Sequence, residues 1–311
     1  MKLNRSVKRI NSKQFCFSIV IILTLLLIGC GSTEEKQTTY NFKQGYGGLQ
    51  LSFLENAPPE KIYPGSEFKL IVKLDNQAAY DLINGKVRII GLDDRYFQIN
   101  PIEQPFNQLG GRSLTNPSGD KAFLEFNGLA GSLSGNAEKY SNTFFVKASY
   151  ESTLEFADSV CLNPNLYEVY DSGCKVEEQK SYSGQGASVA VSEMEEIVMP
   201  LAGGTKAEFR FYLRNNGGGS WSGSNSKIGY LKLNKAQLGG EDFLKCAFQN
   251  FVNEETKFVF TDQKQEALLI CETYLKGQDS YMTTLTLDLG YEYEQTLQHQ
   301  LVLGTWIKKI Y

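Results

Sequence analysis

The chain has 311 residues, with 31 lysines and arginines, 35 aspartates and glutamates and a single histidine, for a net charge of −4. Binding a phosphate backbone requires a concentrated basic face. After residue 14 the nearest approach to one is Lys308-Lys309, so the composition argues against a nucleic-acid partner.

The first 30 residues have the layout of an export signal. Five cations and no acidic residue precede an apolar run from Phe15 to Ile28, which is the charged start and apolar core of a secretory signal. This run of about 14 residues is short of the roughly 20 that cross a bilayer as a helix. We therefore predict a signal peptide over residues 1–29 and an extracytoplasmic location for the rest, with an uncleaved signal anchor as the alternative.

The end of the signal resembles the lipobox of prokaryotic lipoproteins, in which aliphatic and small residues precede a cysteine. The sequence here is Leu27-Ile28-Gly29-Cys30. The resemblance implies that Cys30 is lipidated, becomes the mature N-terminus and anchors the protein to the membrane. Without the signal, 31 minus 5 leaves 26 cations against 35 acids, a net charge of −9. The polar residues after Cys30 predict a tether over residues 30–46.

Alternation of apolar and polar residues predicts β-strands in the remainder of the chain. In residues 283–293, for example, Leu285, Leu287 and Leu289 alternate with threonine and aspartate. One short helix is predicted over residues 237–248. Strands are predicted at 49–54, 68–74, 86–90, 122–126, 144–156, 188–191, 209–213, 228–233, 258–260, 267–271, 283–293 and 297–307.

An internal repeat divides the strand pattern into two halves. The segment from Pro64 to Asn76 aligns with the segment from Gly203 to Asn215 at an offset of 139. In both segments the pattern predicts a turn, then a strand of alternating apolar and polar residues, and ends in an asparagine. The glycine- and serine-rich residues 181–186 suit a linker. We therefore predict two β-sandwich domains, residues 47–182 and 183–311, each long enough to bury its own core.

Four cysteines are left after the signal and Cys30 are set aside, namely Cys161, Cys174, Cys246 and Cys271. Four cysteines allow three pairings. We predict disulfides joining Cys161 to Cys174 and Cys246 to Cys271, because each pair is close in sequence and lies within one predicted domain. A zinc site is the alternative, but it requires closer spacings than these, and we predict no metal and no cofactor.

The turn, strand and asparagine pattern, followed by a glycine-led strand at Gly85, resembles the cell-adhesion-related immunoglobulin-like modules of prokaryotic surface proteins. The whole chain also resembles the two-module, disulfide-bearing surface lipoproteins predicted in small-genome archaea. The resemblance implies an all-β protein with two tandem immunoglobulin-like β-sandwich domains and an adhesive or scaffolding role. It supplies no catalytic residue.

Few residues suggest catalysis. A nucleophilic site could be built only around His299, and the alternation of the last strand places this residue on the core side. Adjacent carboxylates such as Asp93-Asp94, Glu177-Glu178 and Glu195-Glu196 point to opposite sides of an extended chain, so we expect a solvated acidic surface rather than a glycosidase pair.

Two loops are candidates for binding. Asn216 and Trp221 lie in a glycine- and serine-rich segment, where an exposed indole could stack on a sugar or fill a pocket on a protein. A long loop is also predicted over residues 104–120. We predict a non-enzymatic, lipid-anchored binding, adhesion or envelope-scaffold protein, with a surface protein or a glycan as its partner. The alternatives are an exported hydrolase acting on glycans through paired carboxylates, and a polymerising surface-layer or filament subunit.

Overall fold

The computed structural model describes residues 41–165, 173–220, 230–250, 256–259 and 266–305, and every regular element among them is a β-strand. The prediction of an all-β chain is confirmed, and no helix in this part of the chain is long and apolar enough to span a membrane. The strands are β1 (Gly45–Tyr46), β2 (Leu49–Phe53), β3 (Glu67–Asn76), β4 (Leu82–Ile90), β5 (Phe97–Asn100), β6 (Glu103–Leu109), β7 (Lys121–Ala130), β8 (Lys139–Leu162), β9 (Gln179–Ser181), β10 (Gln185–Ala187), β11 (Val189–Leu201), β12 (Gly204–Asn215), β13 (Tyr230–Leu238), β14 (Glu241–Asp242), β15 (Lys245–Phe248), β16 (Lys257–Val259), β17 (Glu266–Tyr274) and β18 (Tyr281–Gly304).

Two strands of 24 residues, β8 and β18, form the centre of the fold. They pair antiparallel along their full lengths, from Tyr281 opposite Leu162 to Gly304 opposite Lys139, without a shift in register. Because side chains alternate between the two faces of a strand, aromatic and aliphatic residues at every second position direct one face of the pair into the core.

Three sheets surround that core. The shared sheet has the order β14-β13-β18-β8-β4-β6, with β16 paired to β13; the first outer sheet is β2-β3-β7-β5, and the second is β15-β17-β12-β11-β9. Phe53 of the first outer sheet lies 5.9 Å from Phe144 of β8, centroid to centroid, and Phe211 of the second lies 6.1 Å from Phe156. The outer sheets therefore pack against different parts of β8, and their apolar residues join in one core.

The predicted repeat is visible in the sheets and in two matching turns. The strand order β2-β3-β7-β5 matches β11-β12-β17-β15. At the end of β3 the side-chain oxygen of Asn76 accepts the N–H two residues on, and its amide donates to the carbonyl of Tyr80, four residues on, at 2.9 and 3.0 Å. Asn215 at the end of β12 makes the same two bonds, to Gly217 and Gly219, at 3.2 and 2.9 Å. Both asparagines close a turn with their own side chain.

Strands from both sides of the predicted boundary at residue 182 share sheets. β8 precedes this boundary and pairs along its whole length with β18, which follows it, and β9 pairs with β11. The last two residues of the predicted tether, β1, pair with β10. The described residues form one compact unit.

Two local predictions are wrong. The region predicted as a short helix, residues 237–248, contains the end of β13 and the strands β14 and β15. The long loop predicted over residues 104–120 is wrong only in its first part: residues 104–109 belong to β6, which pairs with β4 at the edge of the shared sheet, and residues 110–120 are a loop. In both regions tertiary pairing overrides a weak local pattern.

Candidate binding cleft

An open cleft of about 870 Å³ lies on the first outer sheet, over β3, β7 and β5. These three strands are neighbours, and the register of their pairing arranges the lining residues in three rows of three. Across β3, β7 and β5 the rows are Glu67, Leu129 and Gln98; then Phe68, Gly128 and Ile99; then Lys69, Asn127 and Asn100.

Because side chains alternate between the two faces of a strand, the middle row and the two flanking rows face opposite sides of the sheet. In the middle row Phe68 is buried in the core, Ile99 packs against it, and Gly128 has no side chain. The two flanking rows direct their side chains away from the core, and all six are exposed: one acid, one base, three amides and one leucine. Five of the six exposed side chains that line the cleft are therefore polar, and Leu129 is the exposed apolar one.

Gly128 at the centre of the cleft is required by the ring of Phe68. The two residues are cross-strand neighbours, and a Cβ at position 128 would lie 2.3 Å from Cζ of that ring. The same arrangement occurs between Gly85 of β4 and Phe106 of β6, where a Cβ would lie 2.0 Å from the ring. In both places the aromatic ring occupies the space above a glycine and replaces the missing side-chain contacts.

The rim of the cleft is fixed by polar contacts. Lys69 Nζ lies 2.5 Å from Oε1 of Glu125, which precedes its cross-strand neighbour Asn127 by two residues on the same face of β7. Gln104, just past the corner between β5 and β6, donates its side-chain amide to the backbone oxygen of Glu125. The first contact joins β3 to β7, and the second ties the β5–β6 corner to β7.

The lining favours binding through hydrogen bonds. Each of the three amides, Gln98, Asn100 and Asn127, offers two N–H donors and an acceptor oxygen. Glu67 is the one carboxylate among the lining residues, whereas glycoside hydrolysis by the usual route needs two carboxyl groups facing each other across the substrate. The geometry of this cleft therefore supports recognition of a polar, hydroxylated ligand rather than a paired-carboxylate reaction.

The predicted binding loop is separate from this cleft. Asn216 is exposed, and its N–H donates to the backbone oxygen of Ser188 at 3.0 Å. The start of the loop is held by Tyr293, whose hydroxyl donates to Asn215 Oδ1 at 2.7 Å and accepts the N–H of Gly219 at 2.8 Å. Burial raises the pKa of Tyr293 to about 12. Trp221 lies outside the described residues, as does Cys30.

Both predicted disulfides are present. Cys161 is joined to Cys174 and Cys246 to Cys271, across 13 and 25 residues of sequence. Cys246 and Cys271 are directly opposite each other on β15 and β17, so the second bridge links two neighbouring strands of the second outer sheet. Disulfides persist in oxidising compartments, and two of them agree with an extracytoplasmic location.

The expectation of a solvated acidic surface is wrong for Glu196. Glu195 and Glu196 do point to opposite faces of β11, but Glu196 faces the core with 4% of its surface exposed, and its Oε1 has no hydrogen-bond partner. Burial raises the pKa of Glu196 to about 7, against a smaller opposing effect of Lys180. The bulge between Val191 and Glu193 explains this placement, because it changes which residues of β11 face inward.

A second polar cleft, of about 580 Å³, is lined by residues that include Asp158, Lys180 and Tyr182. Within it Lys180 Nζ donates to Asp158 Oδ2 at 3.1 Å and to the backbone oxygen of Ser159 at 2.8 Å, and the hydroxyl of Tyr182 donates to Asp158 Oδ2 at 2.6 Å. The polar groups of Lys180, Tyr182 and Asp158 are therefore hydrogen-bonded within the protein. In the described residues no group of three or more histidine, cysteine or acidic side chains is placed to hold a metal ion.

His299 lies on the core side of β18, near its exposed edge. Its ring centroid is 4.8 Å from that of Phe53 and 5.9 Å from that of Phe144. Partial burial lowers the pKa of His299. The side chain nevertheless remains exposed, so it is a rim residue that covers two aromatic rings.

Comparison with known proteins identifies no family. No family model matches the chain, and no curated protein does. Among solved structures, a secreted serine protease, VesC from Vibrio cholerae, is similar at 10% identity with a TM-score of 0.19; the match covers 81% of this chain and 51% of the protease, so the chain spans about half its length. The collagen adhesin CNA from S. aureus is similar at 10% identity with a TM-score of 0.11, over 85% of this chain and 94% of the adhesin. Similarity at this level carries no argument about fold or function.

Sequence reasoning did not find the cleft. Its polar residues lie at alternate positions of three strands, which on the sequence is the ordinary pattern of a solvated sheet face. β5 contributes three of the nine lining residues and was not predicted as a strand. The only available signal was a pair of amides in the four residues of β5, Gln98 and Asn100, on the same face.

Proposed function

We propose that this protein is a lipid-anchored, extracytoplasmic binding protein that recognises a glycan, without catalysis, through the cleft of the first outer sheet. The two halves of the chain are immunoglobulin-like modules that share a central sheet. The N-terminal signal with Cys30 supplies the membrane anchor. The two disulfides support an oxidising location.

The observation that carries the proposal is the set of three exposed amides, Gln98, Asn100 and Asn127, converging on one cleft. Asn100 and Asn127 are direct neighbours across β5 and β7, and Lys69 is the next neighbour across β3. Neighbouring hydroxyls of a sugar can each accept and donate a hydrogen bond, so a row of amides beside an ammonium group matches them. Leu129 offers an apolar surface for the C–H face of a ring.

The test is binding of the full-length protein, held in detergent, to an array of neutral and acidic oligosaccharides. The variant Asn100→Ala/Asn127→Ala should lose at least tenfold in affinity for any glycan that the wild type binds. The matched control is Gln50→Ala, which removes an exposed amide from β2 of the same sheet, and it should bind as the wild type does. No glycan bound by the wild type, or equal binding by the double variant, would refute the proposal.

The proposed anchor has its own test. Cys30→Ser should release the protein from membranes into the soluble fraction, because the lipid would have no attachment point. Cys16→Ser, which lies within the predicted signal, is the control and should leave the protein in the membrane fraction. Detergent-dependent extraction of the Cys30→Ser protein would contradict lipidation and favour an uncleaved signal anchor.

A further inference from the structure

One edge of the shared sheet is interrupted along β18. β13 pairs with β18 up to Tyr291. Next, Ser220 exchanges two hydrogen bonds with Glu294, each 2.8 Å long. Further along, the N–H of Ile62 donates to Val302 O at 2.8 Å and the N–H of Gly304 donates to Ile62 O at 2.9 Å. Residues 295–301 of β18 lie between these two contacts, and we call them the edge gap.

The direction of the backbone groups in the edge gap follows from its two ends. Glu294 uses both its N–H and its C=O toward Ser220, so every second residue from Glu294 onward points the same way. The exposed backbone groups are therefore the N–H and C=O of Thr296, Gln298 and Gln300, with the N–H of Val302. In the described part of the chain none of these seven groups has a backbone partner.

The related edge of β8 is closed by side chains. The pairing of β4 with β8 ends at Glu151. Further along β8, the N–H of Glu155 donates to the hydroxyl of Tyr80 at 3.2 Å, and that hydroxyl donates to the C=O of Glu155 at 3.0 Å. Lys180 bonds to the oxygen of Ser159 on the same edge. In β18 the corresponding groups have no such caps among the described residues. Proteins usually protect such edges with charges, prolines or bulges, and residues 295–301 contain none of these.

We propose that the edge gap binds a short, extended, uncharged segment of a partner protein as an added β-strand. Backbone N–H and C=O groups in alternation are matched by another polypeptide backbone, which is the basis of recognition by strand addition. At about 3.3 Å per residue the distance from Glu294 to Val302 is about 26 Å, which admits a segment of about six residues between the flanking contacts.

The surroundings of the edge gap define the chemistry of the bound segment. On the core side Leu297 is half-buried and His299 lies against Phe53, so every second side chain of the segment meets an apolar surface. On the outer side Thr296, Gln298 and Gln300 are exposed and neutral. A second copy of the chain fits poorly, because the Ser220 and Ile62 segments flank the gap in both copies and would meet before two β18 edges came within the roughly 4.8 Å of a strand pair.

The experiment uses hydrogen exchange and peptide binding with the full-length protein in detergent. The probe is an N-acetylated hexapeptide of alternating valine and threonine, and the control peptide has a proline at its third position. In the free protein the amides of Thr296, Gln298, Gln300 and Val302 should exchange fast, and the probe should slow them at least tenfold. Fast exchange without protection by the probe would overturn the proposal, as would protection confined to β2.

Two substitutions at one position separate the backbone from the side chain. Gln298→Pro removes an outward N–H without removing a bond between β8 and β18, since the N–H of residue 298 points away from β8, and proline is tolerated on an edge. It should lower affinity for the probe at least tenfold. Gln298→Ala keeps the N–H and should bind as the wild type does. Equal binding by the proline variant, or protection that rises with protein concentration alone, would contradict strand addition by a partner.

If the proline variant fails to fold, as judged by its circular dichroism, the exchange experiment on the wild type decides the question. Asn100→Ala/Asn127→Ala should retain the probe, because the cleft lies over β3, β7 and β5 whereas the edge gap lies on β18. The two proposals can therefore fail independently.

Discussion

Tyr150 and Tyr293 face each other across the β8–β18 ladder, with ring centroids 5.9 Å apart. Tyr150 lies 11 residues after the start of β8 at Lys139, and Tyr293 lies 11 residues before the end of β18 at Gly304. Both side chains are buried. The pair therefore marks the midpoint of the ladder, where the first half of the chain meets the second.

Tyr293→Phe should destabilise the protein by about 2 kcal/mol. The substitution removes the hydroxyl that bonds to Asn215 and Gly219. The N–H of Gly219 then loses this acceptor, whereas Asn215 Oδ1 loses one donor and keeps the N–H of Gly217. Urea denaturation of the full-length protein measures the effect. Tyr274→Phe, at a tyrosine with 54% of its surface exposed, is the control and should change stability by less than about 0.5 kcal/mol. Equal losses in the two variants would contradict a structural role for this hydroxyl.

Gly128→Ala should cost about 2 kcal/mol, because the new Cβ forces the confined ring of Phe68 out of its place. The control is Gly203→Ala, where a Cβ would meet no atom within 4 Å, and it should be close to neutral. Phe68→Leu should then be less costly in the Gly128→Ala background than in the wild type. Additive losses in thermal denaturation would show that the glycine and the ring are independent.

Stability should depend on pH through Glu196. Its pKa is about 7 in the folded protein and near 4.5 when unfolded, so the folded state holds its proton more tightly. The stabilisation is complete below about pH 4.5 and is lost as the pH rises through 7. Relative to Glu196→Gln, the wild type should lose about 3 kcal/mol over this interval. Glu55→Gln, at an exposed position, is the control; parallel pH profiles for the wild type and Glu196→Gln would exclude this mechanism.

Removing either disulfide should cost about 3 kcal/mol by the chain-entropy estimate for loops of this size. Cys246→Ala/Cys271→Ala opens the longer loop and Cys161→Ala/Cys174→Ala the shorter one, and each pair serves as the comparison for the other. Peptide mapping by mass spectrometry without reductant should recover the two pairings described here. Crossed pairs or free thiols would contradict the structure.

The strands and the disulfides were predictable because their signals are local. Alternation over residues 283–293 shows on the sequence which side of β18 faces the core, and cysteines close in sequence favour short bridges. The pairing of β18 with β8 was not predictable, since both strands alternate in the same way and nothing local encodes which strand lies opposite. Glu196 was misjudged for a related reason: the bulge that places it inward arises from the pairing of β11 with β12.

The candidate cleft depends on register more than on residue type. Asn100 and Asn127 are 27 positions apart in the sequence and become neighbours only when β5 pairs with β7. Asn216 and Trp221 lie in a glycine- and serine-rich segment that is conspicuous on the sequence. Amides that converge on one sheet face are not conspicuous on the sequence, because only the pairing of the strands makes them neighbours.

The long ladder between β8 and β18 also bears on how an exported chain acquires its shape. If the polypeptide emerges on the far side of the membrane from its N-terminus, β8 is delivered more than a hundred residues before the strand that completes it. Until β18 emerges, one edge of β8 has no paired strand, and the first half of the chain cannot complete its core. Folding of the described part of the chain therefore cannot be completed before β18 has emerged.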